Sequence, residues 1–164
     1  MTSKNISDKK LIASIIEQES IFKLIRQTAS WLDEEKLHLW LKSFSIDSHY
    51  EIKASSPEIE TEMSWWYSDK AELEKIIDEI PDHVRDKAKR LHLVTPISTQ
   101  INKTRASVLT HFSIFRTATD GRSSLYVTGK YEDDVIKENG RWFYKTRTVL
   151  LDTRIIEPFT HLPL

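Results

Sequence analysis

The feature that most constrains the fold of this chain is a change of hydrophobic period near its middle. In the first third, apolar residues recur every three or four positions, which is typical of one face of an α-helix. They are Leu11, Ile15, Phe22, Ile25, Ala29 and Leu32. From Leu91 onward the period is two, which is typical of strands with one buried face. Because helices come first and long strands follow, the pattern predicts an α+β fold.

Two further helices and one strand are predicted in the first half. Asp33 is the predicted N-cap of a short second helix, because its side chain can accept hydrogen bonds from the first turn. Ser68 or Asp69 is expected to cap a third helix, and Pro81 to end it, because proline lacks the N–H that a helix needs. Between them, residues 49–54 alternate and predict a first strand.

Later runs alternate and predict a long antiparallel meander. The alternating positions are Ala106, Val108, Thr110, Phe112 and Ile114 in one run and Leu125, Val127, Gly129 and Tyr131 in the next. The second run closes at Asn139-Gly140, a strong hairpin signal, and a last run covers 142–156. Gly129 is expected to form a bend or bulge. Since long strands twist and coil, we expect a single domain, 1–164, in which a strongly curved sheet wraps around the N-terminal helices as a cone.

Composition excludes several classes of function. The 24 Lys and Arg nearly balance the 25 Asp and Glu, so general attraction to nucleic acid or an anionic membrane is not expected. The absence of Cys excludes disulfides, thiolate zinc sites and an iron–sulfur cluster ligated by this chain alone. Three Gly cannot form a phosphate-binding loop. No run approaches the roughly 20 apolar residues that span a bilayer, so we expect a soluble, cytoplasmic protein.

Three residues are candidates for acid–base chemistry inside the cone, namely Tyr50, His92 and Asp152. Side chains from several strands can converge on an interior pocket, where a Tyr, a His and a carboxylate can transfer protons. The alternative is structural: His92 is a hydrogen-bonded sheet residue, and Asp152 forms an ordinary polar pair with Arg154 at a strand end. No two histidines have the His-x-x-x-His spacing of a helical zinc site, so no metal site is predicted.

Other residues are candidates for contacts with a partner protein. Trp65 and Trp66 are adjacent in an extended segment, so one is expected in the core and the other exposed as an interface anchor. Arg90 ends a charged run, 85–90, that is either a solvated loop or a docking patch for an acidic surface.

The C-terminal segment, 157–164, is apolar and contains two prolines. Such a segment packs either on its own domain or on a neighbour, because it is not expected to lie in water. We expect it to be an interface element, with Pro158, Phe159 and His161 in contact with another subunit.

The order of these features resembles the small (beta) subunit of the Rieske non-haem iron ring-hydroxylating oxygenases. The matching stretches are 31–37 (WLDEEKL), Trp40-Leu41 with Phe44, 47–50 (DSHY), 90–95 (RLHLVT), 124–133, 139–142 (NGRW) and 149–152 (VLLD). They cover nearly the whole chain, and the ordered set carries the resemblance rather than any single motif.

The resemblance implies a fold, a partner and a division of labour. The fold is the cystatin-like cone shared with nuclear-transport-factor-2-like proteins. This chain would hold no catalytic residue, metal or cofactor. A larger alpha subunit would carry the Rieske 2Fe-2S cluster and the mononuclear non-haem iron. The expected assembly is an α3β3 hexamer containing a beta trimer, with electrons supplied by a ferredoxin or reductase.

The resemblance also implies hydroxylation of an aromatic acid or a related organic acid, as in aromatic hydrocarbon catabolism. The ending 160–164 departs from the commoner aromatic endings of the family, so sulfonate substrates stay open. The expected subunit-contact residues are Trp65, Trp66, Arg90, Arg154, Pro158, Phe159 and His161. The alternative is a stand-alone isomerase, dehydratase or cyclase of the same cone fold, because this fold hosts both kinds of protein.

Overall fold

A computed structural model describes residues 2–56, 61–82, 86–158 and 162–164. The helices are α1 (Thr2–Asp33), α2 (Leu37–Leu41) and α3 (Lys70–Glu79). The strands are β1 (Phe44–Ser56), β2 (Thr61–Asp69), β3 (Lys89–Asn102), β4 (Arg105–Thr117), β5 (Ser123–Glu138) and β6 (Arg141–Leu151). The predicted α+β architecture is confirmed.

Helix α1 has two halves with different surroundings. Ile21 and Ile25 are completely buried in the core. Leu11 and Ile15, which the period placed on the same buried face, are 61% and 54% exposed. The helix itself was therefore predicted correctly, but no described element covers Leu11 and Ile15. Tertiary packing rather than the sequence pattern decides where the buried part of the helix begins.

The end of α1 differs from the prediction. Asp33 is the last residue of α1 and does not cap α2, whose N-cap position is Lys36 without a side-chain capping bond. The turn between the helices places Glu35 in the left-handed region, at φ 53°. This turn leaves the Asp33 carboxylate available for a contact with the sheet.

The N-cap of helix α3 is Asp69, one of the two predicted capping residues. The Asp69 carboxylate accepts a hydrogen bond from the Glu72 N–H at 2.8 Å, and the Glu72 carboxylate accepts one from the Asp69 N–H at 3.0 Å. This reciprocal capping box satisfies two N–H groups at the helix start. Pro81 lies in the 3-10 turn Ile80–Asp82 that follows the helix.

The six strands form one sheet in the order β2-β1-β6-β5-β4-β3. Strands β3 to β6 form the predicted antiparallel meander, while β1 pairs with β6 in parallel, which the period did not indicate. Asn139 and Gly140 have φ of 49° and 79°, as the predicted hairpin turn requires. The last strand, expected to continue to Ile156, ends at Leu151.

Gly129 permits a close approach between strands rather than a bulge. A Cβ at this position would lie 2.2 Å from the Leu150 carbonyl oxygen, so no other residue fits without a shift. In the pairings of β5 with β4 and β6, the irregularities of register lie at Tyr126 and Lys145 instead. The irregularity at Tyr126 turns Leu125 to the outer face, where it is 57% exposed. The prediction that Leu125 and Val127 share a face is therefore wrong.

The hydrophobic core lies between the helices and the inner face of the sheet, and the C-terminal segment contributes to it. Leu162 and Leu164 are buried in this core, at 6% and 1% exposure. The expectation that the segment serves a neighbour is therefore wrong for these two residues, because they fill the core of their own chain. Phe159 and His161 lie outside the described residues.

Candidate subunit-contact surface and cone interior

The centre of the cone holds a fully buried ion pair. Asp133 on β5 and Arg147 on β6 are partners in the sheet register. The Arg147 Nε and Nη2 atoms donate to the two Asp133 oxygens, each at 2.8 Å. The side chains are 0% and 1% exposed. Desolvation of two charges is costly, and this bidentate geometry is the arrangement that offsets it best.

Two tyrosine rings enclose the Arg147 guanidinium. Its central carbon lies 4.3 Å from the ring centroid of Tyr131 and 4.2 Å from that of Tyr144. The Tyr144 hydroxyl accepts a hydrogen bond from Nη2 at 2.8 Å and lies 2.9 Å from the Thr28 hydroxyl on α1. Burial by itself lowers the pKa of Arg147, but the Asp133 carboxylate more than reverses this, so the pKa lies above its usual range. The guanidinium therefore stays charged inside the core.

Tyr50, the first acid–base candidate, is bound by the C-terminal segment. Its hydroxyl donates to the Leu164 carbonyl oxygen at 3.1 Å and accepts from the Leu164 N–H at 2.9 Å. The side chain is completely buried, and burial raises the pKa of its hydroxyl well above the usual range. A neutral phenol held by backbone groups on both sides supports the core.

His92, the second candidate, lies beside the end of α1. Its Nδ1 atom is 2.5 Å from Asp33 Oδ1, and its backbone N–H donates to both Asp33 oxygens at 3.0 Å. The imidazole is 0% exposed. Its Nε2 atom has no hydrogen-bond partner among the described residues. Asp33 thus connects α1 to β3 through a backbone and a side-chain donor.

Asp152, the third candidate, follows directly after β6 and is exposed. Its backbone N–H donates to the Thr128 carbonyl oxygen at 3.0 Å. Within the described part of the chain, no hydrogen bond joins any two of Tyr50, His92 and Asp152. The structure therefore does not bring the three candidates together as one acid–base site.

The two tryptophans of β2 differ in exposure, as predicted. Trp66 packs against the core, with its ring centroid 5.6 Å from that of Tyr50 and its Nε1 donating to the Ser68 hydroxyl at 2.8 Å. Trp65 is 37% exposed. Of the pair, Trp65 is the one that another subunit could reach.

Further contact candidates lie near the start of β3. The Arg90 guanidinium is 5.7 Å from the ring centroid of Tyr126, and the Tyr126 hydroxyl donates to the Pro158 carbonyl oxygen at 2.5 Å. Pro158 itself is exposed, and so is Arg154 in the irregular segment after β6. Tyr126 therefore links Arg90 to the C-terminal segment.

Asp86 and Arg116 form an ion pair close to Arg90. The Arg116 Nε and Nη2 atoms donate to the Asp86 carboxylate at 2.6 and 2.8 Å, and both side chains are 21% exposed. The hydrogen bond from Arg116 holds the pKa of the Asp86 carboxyl below its usual range. This pair attaches the start of the 86–88 segment to β4.

Sequence reasoning missed the buried ion pair and an apolar surface patch. Asp133 falls on the same alternating positions as Tyr131, and a charge on a buried face is a recognisable signal of a buried pair. Arg147 gives no such signal, because the register shift at Lys145 changes which residues of β6 face inward. The patch consists of Leu91, Phe115 and Leu125, which are register neighbours on the outer face of β3, β4 and β5.

The chemistry of the side chains does not fit a resident metal centre of the Rieske type. Such a centre needs two Cys and two His ligands, and the sequence contains no Cys. Among the described residues, no group of three or more His, Asp and Glu lies close enough together to hold a metal ion. In the same part of the chain, no helix has the length and apolar character needed to cross a bilayer.

A curved sheet wrapped around N-terminal helices is the cystatin-like cone, and solved structures share it. One of them is a beta subunit assigned to an aromatic-ring-hydroxylating dioxygenase of Novosphingobium aromaticivorans. It superposes with a TM-score of 0.82 at 22% identity and covers 93% of this chain and 99% of its own. At that identity the likeness establishes the fold.

Sequence similarity then establishes the family. The profile of the family described as "Ring hydroxylating beta subunit" matches residues 27–158. The 2-aminobenzenesulfonate 2,3-dioxygenase subunit beta of Alcaligenes sp is 30% identical over 88% of this chain and 97% of its own length. The methanesulfonate monooxygenase hydroxylase subunit beta of Methylosulfonomonas methylovora is 28% identical over 81% of this chain and 79% of its own. The chain belongs to the ring-hydroxylating beta subunit family.

Proposed function

We propose that this chain is the non-catalytic small subunit of a terminal oxygenase. A larger alpha subunit, carrying a Rieske 2Fe-2S cluster and a mononuclear non-haem iron, performs the hydroxylation. The observation that carries the proposal is that polar groups inside the cone are hydrogen-bonded to other groups of the same chain. Arg147 is held by Asp133, and Tyr50 by Leu164, so these groups are occupied within the chain. A subunit of this kind contributes contacts rather than chemistry.

The proposed assembly is an α3β3 hexamer in which three copies of this chain form one layer. Family membership supports an alpha partner, and the contact candidates Trp65, Arg154 and Pro158 are exposed in the isolated chain. Phe159 and His161, outside the described residues, stay predicted contacts. Electrons reach the alpha subunit from a ferredoxin or reductase component, without passing through this chain.

The proposed substrate of the complex is an organic sulfonate. Both curated relatives belong to enzymes named for sulfonates, one aromatic and one aliphatic. This narrows the class of organic acid that the family resemblance implies. The sulfonate would be bound and hydroxylated in the alpha subunit.

A stand-alone isomerase, dehydratase or cyclase is the weaker alternative. It would require Tyr50, His92 or Asp152 to act on a ligand in the interior. Asp152 is exposed, and Tyr50 is bound by backbone groups. His92 is paired with Asp33, and the contact of the Asp33 carboxylate with the His92 backbone N–H gives this pair a structural role.

The test is co-expression with a candidate alpha subunit, chosen as a neighbouring gene product with Cys-x-His and Cys-x-x-His spacing. The purified complex should contain iron and, with its electron donor, should hydroxylate 2-aminobenzenesulfonate or methanesulfonate in preference to benzoate. This chain alone should bind no stoichiometric iron and turn over none of them. Failure of the two chains to co-purify would contradict the proposal, and preference for benzoate would contradict the sulfonate assignment alone.

Contact variants sharpen the same test. Trp65→Ala and Arg154→Ala should reduce the amount of alpha subunit retained on a tagged form of this chain. Leu39→Ala, at an exposed apolar residue of α2, is the matched control and should retain it fully. Equal retention by all three variants would place the alpha contact elsewhere on the surface.

A further inference from the structure

The first half of α1 contains an exposed helical arm, residues 8–16, with one apolar face. Every residue of this arm is exposed. Its large aliphatic side chains are 54–61% exposed and recur at helical spacing, so they form a continuous stripe. They are Leu11, Ile12, Ile15 and Ile16. A contiguous apolar stripe on the surface marks a region that another molecule covers.

The stripe faces away from the rest of its own chain. Directly after the arm, the Glu17 carboxylate accepts hydrogen bonds from Trp142 Nε1 at 3.0 Å and from Lys137 Nζ at 2.5 Å. Glu17 therefore faces the β5–β6 hairpin. Because successive residues of an α-helix turn by about 100°, Glu17 lies on the face opposite the stripe. The described parts of this chain offer no surface to the stripe.

Two polar side chains near the ends of the stripe have no partner. Asp8 precedes the stripe and is exposed, and Gln18 follows it and is half-buried. Within the described ranges, neither side chain makes a hydrogen bond or an ion pair. A carboxylate accepts hydrogen bonds and an amide NH2 group donates them, so the two ends are complementary. They lie about 15 Å apart along the helix and cannot meet within one copy.

The arm is symmetric about Ala13. Leu11 and Ile15 lie two residues before and after it. Asp8 and Gln18 lie five residues before and after it. In an antiparallel pair of such helices, the two-fold axis is perpendicular to the plane that contains both helices. With this axis at the height of Ala13, Leu11 of each copy meets Ile15 of the other, and Asp8 meets Gln18. An isologous contact requires this reciprocity.

We propose that the arm binds the arm of a second copy of this chain as an antiparallel helix pair. The apolar stripes of the two copies then cover each other, and each Asp8 carboxylate accepts a hydrogen bond from the Gln18 amide of the other copy. A parallel pair would place Asp8 beside Asp8, where the two carboxylates repel each other. The charges thus favour the antiparallel direction.

This contact is separate from the proposed beta trimer. A three-fold axis does not generate a two-fold contact, so the pair joins copies that the three-fold axis does not relate. The family profile begins its match at residue 27, so the arm lies outside the matched range. The proposal therefore depends on the residues of the arm and not on the proposed function.

The contact is small. Residues 8–18 cover about 17 Å of helix. A helix pair of this length buries less than the roughly 1,200 Å² at which standard interfaces begin. We therefore expect a weak pair whose population rises with concentration.

Cysteine cross-linking on the full-length chain tests the direction and register of the pair. The sequence contains no Cys, so only introduced thiols can react. Chains with Leu11→Cys and chains with Ile15→Cys are oxidised mildly, alone and mixed. The mixture should form disulfide dimers at least about fivefold faster than either chain alone, because the antiparallel register brings position 11 to position 15. Ala13→Cys, which faces away from the stripe, is the matched control and should react slowest.

Serine substitutions test the affinity. Ile12→Ser combined with Ile15→Ser should weaken pairing by about tenfold or more, because the contact loses two aliphatic side chains from each copy. Lys10→Ser, on the opposite face of the arm, is the control and should not change it. Sedimentation from about 10 to 300 µM suits a contact of this size. Thermal melting of the variants should be unchanged, because these residues are exposed, so a folding defect is recognised separately.

Four results would overturn the proposal. The first is equal cross-linking of the mixture and the single chains. The second is fastest cross-linking of Leu11→Cys alone, which indicates a parallel pair. The third is self-association that the serine variant does not weaken. The fourth is a serine variant that loses the alpha subunit and keeps its self-association, which would assign the arm to the alpha subunit instead.

Discussion

Charged side chains are paired and buried in the interior of the cone, whereas on the outer face of its sheet they are exposed. Inside, Arg147 is paired with Asp133 and covered by aromatic rings, so every charge of the pair is satisfied within the chain. Outside, Lys130 and Glu132 are exposed, and their register neighbours include Leu150 and Leu109. The two regions lie on opposite faces of the same strand, β5.

This difference shows how one fold serves two kinds of protein. A cone-fold enzyme needs interior groups that a ligand can reach, whereas here Tyr50 and Arg147 are occupied by internal partners. The groups available for recognition are on the surface instead. In this family member the interior supplies stability and the surface supplies function, which is the division expected of a structural subunit.

The largest expected effect comes from breaking the interior ion pair. Arg147→Ala leaves the Asp133 carboxylate buried without its partner, which should lower the free energy of unfolding by about 3–5 kcal/mol. Urea unfolding followed by circular dichroism measures it. Arg147→Met combined with Asp133→Leu should recover most of the loss, because both charges are then removed. A single-variant loss below about 1 kcal/mol would show that water reaches the pair.

The next effect concerns the C-terminal segment. Leu164→Ala removes a completely buried side chain and should lower the free energy of unfolding by about 2–5 kcal/mol. Tyr50→Phe, which removes only the hydroxyl bound to Leu164, should cost about 1 kcal/mol. Thermal melting at low protein concentration measures the loss of stability in each of the two variants. An unchanged melting temperature together with weakened subunit assembly would instead assign Leu164 to an interface.

A smaller effect depends on pH, at the boundary between interior and surface. The pKa of Asp86 is lowered in the folded chain by Arg116, so the folded state binds this proton less tightly than the unfolded state. Its contribution is present above the unfolded pKa of about 4 and is lost as the pH falls through the lower folded value. Asp86→Asn should therefore cost about 1 kcal/mol or less near neutral pH and nothing in strong acid. Unfolding curves across the acid range provide the measurement. A cost that persisted in strong acid would exclude ionisation as its cause.

The smallest effect on stability is expected on the outer face. Leu125→Ser should change the free energy of unfolding by no more than about 0.5 kcal/mol, because the side chain is mostly exposed. The same variant should weaken subunit assembly if the exposed patch of Leu91, Phe115 and Leu125 is a contact surface. Unfolding at nanomolar concentration and sedimentation at micromolar concentration separate the two readouts. A large loss of stability in the monomer would show that Leu125 packs within its own chain.

Local signals predicted most of the fold. Asp69 capped its helix, and Asn139-Gly140 formed its hairpin turn, because both depend on neighbours in sequence. Long-range contacts were not predictable in the same way. The parallel pairing of β1 with β6 joins distant segments, and period alone carries no information about it.

The site was predicted less well, for physical reasons. His92 was identified as a candidate, but Asp33 was assigned to a helix cap, so their contact was missed. Leu125 was placed inside because an alternating pattern cannot show a register shift, and the shift at Tyr126 reverses its side. The residue types indicated which side chains could take part in acid–base chemistry. Whether a side chain lies on the inner or the outer face of the sheet also depended on register irregularities, which the sequence pattern does not show.

The most direct test of a non-catalytic role is turnover by the assembled oxygenase carrying variants of the three acid–base candidates. Tyr50→Phe, His92→Gln and Asp152→Asn should each leave turnover per assembled complex within about twofold of wild type. Loss of a general acid or base typically costs about a hundredfold or more. Assembly and iron content are measured on the same samples, so a folding defect appears as lost complex. A loss of about a hundredfold in any variant, with assembly and iron intact, would contradict a purely structural subunit.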